Sequence, residues 1–265
     1  MKTFALIALF FALAPFAMQA GEFVLIQEYN GITGFVAEDR LGNIYSIENG
    51  VLYKNPRLPE EISYSKRSFG RISSVHVEDP LNLYVFFEDF GHVVMLDKNL
   101  AEKSVLLSPV LHPDDLAQKI CYSAQDGFWA FFPNDTRIVR FNRRGIPEMK
   151  SNPLYEDFPA LNNVQHMQES DRHLFLSQQG LWAFDLHGGF LFYLPDVEPE
   201  VFQVMGQKVF FIKDGYLSVY DFFLREETLI LLPEDEVNSF FVKGNEIYLQ
   251  TEKAVKKFRY TENFW

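Results

Sequence analysis

After its first twenty residues the chain alternates short runs of β-branched, aromatic and aliphatic residues with polar turns, and no long stretch keeps a 3.6-residue apolar period. The passage EDRLGNIYSI, residues 38–47, shows the unit: a tight turn from Asp39 to Asn43 feeds an alternating strand from Ile44 to Ile47. The unit recurs. Leu83, Phe128, Leu174, Val209 and Ile247 take the place of Ile44 in DPLNLYVFFED, AQDGFWAFFP, SDRHLFLSQQ, GQKVFFIKD and KGNEIYLQTE, at intervals of roughly 35 to 46 residues.

Each unit has a further strand before the anchor (SSVHVED, VQHMQES, NSFFVKG) and another after it that usually ends in Asp or Asn (HVVMLDKN, GLWAFDLHG). Several add a fourth, such as EISYSK, KSVLLSP and ETLILLP. Four short antiparallel strands per repeat are the make-up of a propeller blade, so the expected fold is an all-β, six-bladed β-propeller. A β-sandwich or a pair of small barrels is the rival, and an even four-strand period is hard to obtain from either. The last unit lacks an outer strand, while GEFVLIQEY, residues 21–29, belongs to no unit. Joining the two would close the ring and cover exposed strand edges. The same strand at the end of an incomplete blade leaves five or seven blades open. The third unit is irregular, with GIPEMKSNPLYEDFPALNN reading as an insertion. HPDDLAQK reads as one helical turn, with acids where the helix dipole favours them.

The N-terminus changes where the domain begins. Lys2, an apolar run of roughly 15 residues and the small Ala20 follow the order of a secretory signal peptide, with cleavage expected between Ala20 and Gly21. The run falls short of the ~20 residues a spanning helix needs. The chain is therefore divided into a signal over 1–20 and one propeller domain over 21–265, with no transmembrane segment in the mature chain and a periplasmic or secreted location. A formal charge of −12 argues against nucleic acid, whose binding rests on Lys and Arg neutralising phosphates. The basic runs KRSFGR and RIVRFNRRG read as solvated faces. Cys121 is the sole cysteine, so no internal disulfide forms, and its alternating apolar setting reads as a small buried residue.

The turn EDRLGNIYSI is similar to the D-x-x-G-N-I-Y pattern of secreted propeller repeats of the NHL and gluconolactonase-like kind. The longer passage FGRISSVHVEDPLNLYVFFEDFGHVVMLDKNLAE resembles an uncharacterised family of secreted propeller-like proteins of Bacteroidota. That resemblance implies a cell-envelope protein and, by association, an accessory role in secretion or gliding machinery; it supplies no catalytic residues. Gluconolactonase-like enzymes hold a divalent metal in the propeller channel, for which Glu38, Asp39 and Glu78 are the residues to inspect here.

Candidate chemistry is sparse. The six histidines show no metal-ligand spacing, although ring position would bring His76 and His166 toward a central channel. His112, Asp114 and Asp115 lie close together but double as the charged start of the helical turn. SAQDGFWAF is a near miss to a sialidase Asp-box, with the wrong spacing. No nucleophile elbow, phosphate loop or dinucleotide fingerprint is present, and no cofactor is indicated. The expected function is a non-enzymatic interaction module or scaffold with a protein partner in the cell envelope. The alternatives are a metal-dependent lactonase-like or glycan-cleaving enzyme and a glycan-binding module. Within the irregular loop, Tyr155 and Phe158 are the candidate partner contacts, because long loops on rigid scaffolds often carry function and aromatics often dominate binding energy.

Overall fold

A computed structural model of the protein describes residues 17–18, 21–107, 116–155, 157–159, 161–262 and 264. Six four-stranded antiparallel blades form a ring. Blade 1 runs Phe35–Glu38, Ile44–Glu48, Val51–Lys54 and Ile62–Tyr64. Blade 2 runs Ile72–His76, Leu83–Phe87, His92–Leu96 and Glu102–Leu107. Blade 3 is Lys119–Ser123, Gly127–Phe132, Arg137–Asn142 and Pro147–Lys150, and blade 4 is His166–Ser170, His173–Ser177, Leu181–Asp185 and Phe190–Leu194. Blade 5 comprises Gln203–Met205, Lys208–Lys213, Tyr216–Asp221 and Glu226–Leu231; Ala17–Met18 pairs in parallel with that last strand. Blade 6 has Ser239–Lys243, Glu246–Gln250 and Ala254–Tyr260, and its outer strand is Phe23–Asn30.

The N-terminal strand thus closes the ring, pairing from Phe23 opposite Tyr260 to Asn30 opposite Ala254 with one register shift between Leu25 and Gln27. Gly21 lies against the Tyr260 ring, where a Cβ would overlap it. Ala20, the other side of the expected cleavage, lies outside the described residues, as do His112, Asp114 and Asp115.

The Asp and Asn residues that end so many strands have a common geometry. Asp39, Asp97, Asn142 and Asp185 each open a turn in which the side-chain oxygen accepts the N–H groups two and four residues on, at 2.8–3.2 Å. The residue three positions on takes positive φ: Gly42, Leu100, Gly145 and Gly188, at 85, 60, 71 and 78°. Glycine reaches this region at no steric cost, which is why it fills three of the four positions. EDRLGNIYSI is therefore one tooth of a repeat.

The aromatic-rich alternation packs between blades. Buried apolar residues fall into six clusters, one at each seam. Cys121 is buried in the seam of blades 3 and 4 beside Trp129 and Met167, and burial raises its thiol pKa. The irregular third unit differs from its reading as a pure insertion: Pro147–Lys150 is the blade's outer strand, where a residue without an N–H is tolerated. The loop beyond it sinks Leu154, Leu161 and Val164 into the same seam.

Candidate functional site

The first strands of neighbouring blades contact one another around the axis and line a central channel of about 840 Å³. Because all six blades run from the inside outward, the turns after the first and third strands share one face, the face where the inner strands end. Crossovers between blades lie on the opposite face. The Asp39 turn, the Glu78–Asp79 turn, the Asp171–Arg172 turn and the segment 222–225 all belong to the inner-strand-end face.

Both predicted channel histidines line that channel. Enclosure lowers the pKa of His76 to about 3 and that of His166 to about 4, so both are neutral at pH 7. Each ring also bonds the backbone of the next blade, His76 at Ile120 and His166 at Phe202, and Ser74 Oγ lies 3.2 Å from His76 Nε2. They act as ties between blades. Glutamines repeat the device: Gln168 pairs with both peptide groups of Val204, and Gln250 accepts the Phe35 N–H at 2.7 Å.

Most acids near the channel already have donors. Glu38 holds Lys243 at 2.5 Å and Lys257 at 3.2 Å. Asp39 accepts from its turn amides, from Asn43 Nδ2 and from Tyr45 Oη. Glu169 accepts from Ser123 Oγ, the Ala124 N–H and Trp129 Nε1. Glu78 differs, with a carboxyl that opens on the channel and accepts from the Val77 and Glu78 backbone N–H groups alone among the described residues. Among the described residues no three His, Cys, Asp or Glu side chains gather as a metal would require. The three acids named by the lactonase-like resemblance are thus in different states: Glu38 is salt-bridged, Asp39 is built into a turn, and Glu78 has no ion pair among the described residues.

The two aromatics singled out from the irregular loop have different surroundings. Tyr155 is 50% exposed. Phe158 is half-buried, with ring centroids 5.6 Å from Trp182, 6.0 Å from Phe184 and 4.7 Å from Phe190.

A second concavity, of about 800 Å³, lies between blades 4 and 5 on the inner-strand-end face. Phe192 and Phe222 stack across the seam at 5.6 Å and 28°, and His173 meets Phe222 at 5.7 Å. Arg172 and Arg225 rim it without an ion pair among the described residues. Phe223 and Leu224 project from the turn with 74% and 61% of their surface exposed. Sequence reasoning passed over this groove. Its signal is the run DFFLREE, where apolar residues occupy a turn that ought to be polar.

No family model matches the chain, and no curated protein matches it. Solved structures match in fold. Catalytically inactive virginiamycin B lyase from Staphylococcus aureus aligns with a TM-score of 0.60 at 11% identity, over 90% of this chain and 99% of that one. The Pan2 WD40 domain of Neurospora crassa aligns at 0.58 and 10% identity, over 91% and 75%. PorZ, a surface component of the type-IX secretion system of Porphyromonas gingivalis, aligns at 0.47 and 11% identity, over 90% of this chain and 38% of that one. The first two likenesses, to a lyase and a WD40 domain, are of fold, and at such identities the fold alone is shared.

Proposed function

We propose that the protein is a non-enzymatic interaction module of the cell envelope, accessory to secretion or gliding machinery, that docks a protein partner on the inner-strand-end face. One observation carries this reading: Phe223 stands exposed at the mouth of the aromatic groove between blades 4 and 5, with exposed Leu224 next to it in the chain. Apolar surface concentrated beside two arginines without an ion pair among the described residues is the composition of a contact centre, where aromatics and Arg are enriched. The leading segment that reads as an export signal supports the location. The lactonase-like alternative needs several carboxylates open to a cation, and Glu38 and Asp39 are already engaged.

The test is capture from envelope extracts on the immobilised mature protein, comparing the wild type with Phe223→Ser/Leu224→Ser. A partner retained by the wild type and lost by the variant, at equal melting temperature, is the expected result. Equal retention by both would place the contact elsewhere, and turnover of lactone or glycan substrates by the purified protein would replace the reading.

A further inference from the structure

Glu78 is the odd member of the acids around the axis. Glu38 has two lysines, Asp79 has Asn82 and Arg143, and Glu169 has three donors, yet Glu78 faces the channel with backbone amides as its only donors among the described residues. Apolar side chains, Val36, Val75, Met167, Phe240 and Phe241 among them, share the walls with a similar number of polar ones, most of which are engaged in ties between blades or ion pairs. A cavity of about 840 Å³ is of the size that holds a small organic ligand.

We propose that the central channel binds an amphipathic organic cation, an alkyl or arylalkyl ammonium, whose charged head pairs with the Glu78 carboxylate and whose apolar part lies against the inner strands. Three observations select a cation over an anion or a neutral molecule. Of the acids lining the cavity, Glu78 is the one whose carboxylate has neither an ion pair nor a side-chain donor among the described residues. His76 and His166, which share the lining, are neutral and do not repel a positive head. The chain as a whole carries −12, so its field draws cations toward the channel mouth. Two cations line the same cavity: Lys243 is held by Glu38, whereas Arg40 is exposed, has no ion pair among the described residues and opposes the ligand. Its removal has a predicted sign opposite to that of Glu78.

Calorimetric titration of the mature protein at pH 8 with phenethylammonium, and with 3-phenylpropionate as its anionic counterpart, tests the site. Phenethylammonium should bind with Kd of about 0.1–1 mM, in keeping with a ligand of its size, and phenylpropionate should not. Glu78→Gln should weaken the ammonium about tenfold or more, the loss of one charge-assisted contact. Arg40→Gln should tighten it. Phe223→Ser/Leu224→Ser should leave it unchanged, which separates this site from the docking face. Absence of binding by the wild type, equal binding of the phenylpropionate, or an Arg40→Gln variant no tighter than wild type would overturn the proposal. So would a folded Glu78→Gln variant that binds as well as wild type.

Discussion

Gln203, on the inner strand of blade 5, closes both hydrogen bonds of Val242 on blade 6: its Nε2 donates to the Val242 carbonyl at 2.6 Å, and its Oε1 accepts the Val242 N–H at 2.7 Å. Inner strands in a propeller are splayed too far apart for a continuous ladder, so a side chain that mimics a peptide group substitutes for the missing strand pairing. Replacing Gln203 with Leu strands one donor and one acceptor at the seam. The expected cost is about 1–3 kcal/mol, read as a drop of about 2–4 °C in Tm per kcal/mol. A Gln203→Glu variant, which keeps an acceptor but loses the donor, should fall between. Equal melting of all three would mean that water replaces the tie.

Closure by the N-terminal strand is tested by deleting residues 21–29. Phe23 packs on Tyr260 at 4.9 Å and on Phe258 at 6.3 Å, but Val24, Leu25 and Ile26 are 50, 50 and 41% exposed. Leu25 is thus a surface residue, because the outer position in the blade leaves that part of the strand in water. The loss on truncation therefore lies chiefly in the ladder to Ala254–Tyr260 and in Phe23, and the bared edge should pair with other copies. Aggregation on size-exclusion chromatography, with a much earlier melt, is the expected result. Unchanged behaviour would refute closure by that strand.

The half-buried channel histidines set an acid limit. His76 and His166 titrate in the folded protein at about 3 and about 4, below the value near 6.5 of an unfolded chain. The unfolded state binds more protons between those limits, so the histidines' contribution is whole above pH 6.5 and is lost progressively as pH falls toward 4. Glu78 works in the opposite sense. Its folded value of about 7 exceeds the unfolded one, so its contribution is present below about 4.5 and is lost as pH rises through 7. Melting curves from pH 4 to 8 should show His76→Asn/His166→Gln less sensitive to acid than wild type, and Glu78→Gln less sensitive to the rise from about pH 4.5 to 7. A variant with the wild-type slope would remove that residue from the account.

Tyr155 and Phe158 should separate on mutation. Phe158→Ala empties an aromatic cluster and should cost about 3 kcal/mol or more, whereas Tyr155→Ala should move the melt by less than about 1 kcal/mol. Denaturant unfolding of the two single variants checks this, and equal losses would mean that Tyr155 is also held by packing.

The repeat was legible because its turns are chemical. An Asp or Asn followed by a glycine at the third position announces the bend at Asp39, Asn142 and Asp185. Leu100 occupies that position without being glycine, and it stays there because its side chain is buried against blade 2. The count of blades and the closing strand followed from four-strand arithmetic. What alternation did not reveal is which partners meet across seams. Phe192 and Phe222 come from different blades, so no local pattern records their stacking. The tie between His76 and the Ile120 backbone likewise depends on ring position. Phe158 lies in a stretch without period, where an aromatic looks alike whether it faces solvent or Trp182.

The joint between Phe23–Asn30 and Ala254–Tyr260 has a kinetic meaning as well as a static one. A bond such as that from the Glu22 N–H to Thr261 Oγ1 spans 239 positions of sequence, and none of this ladder can form until the last blade has emerged from the machinery that synthesises or threads the chain. Each other blade is a local meander that can assemble as it appears. The ring must therefore wait as an open arc with two unsatisfied rims, and the final step is a long-loop closure whose entropy is met all at once. Slow maturation, and a need for protection during that interval, are built into the position of one strand.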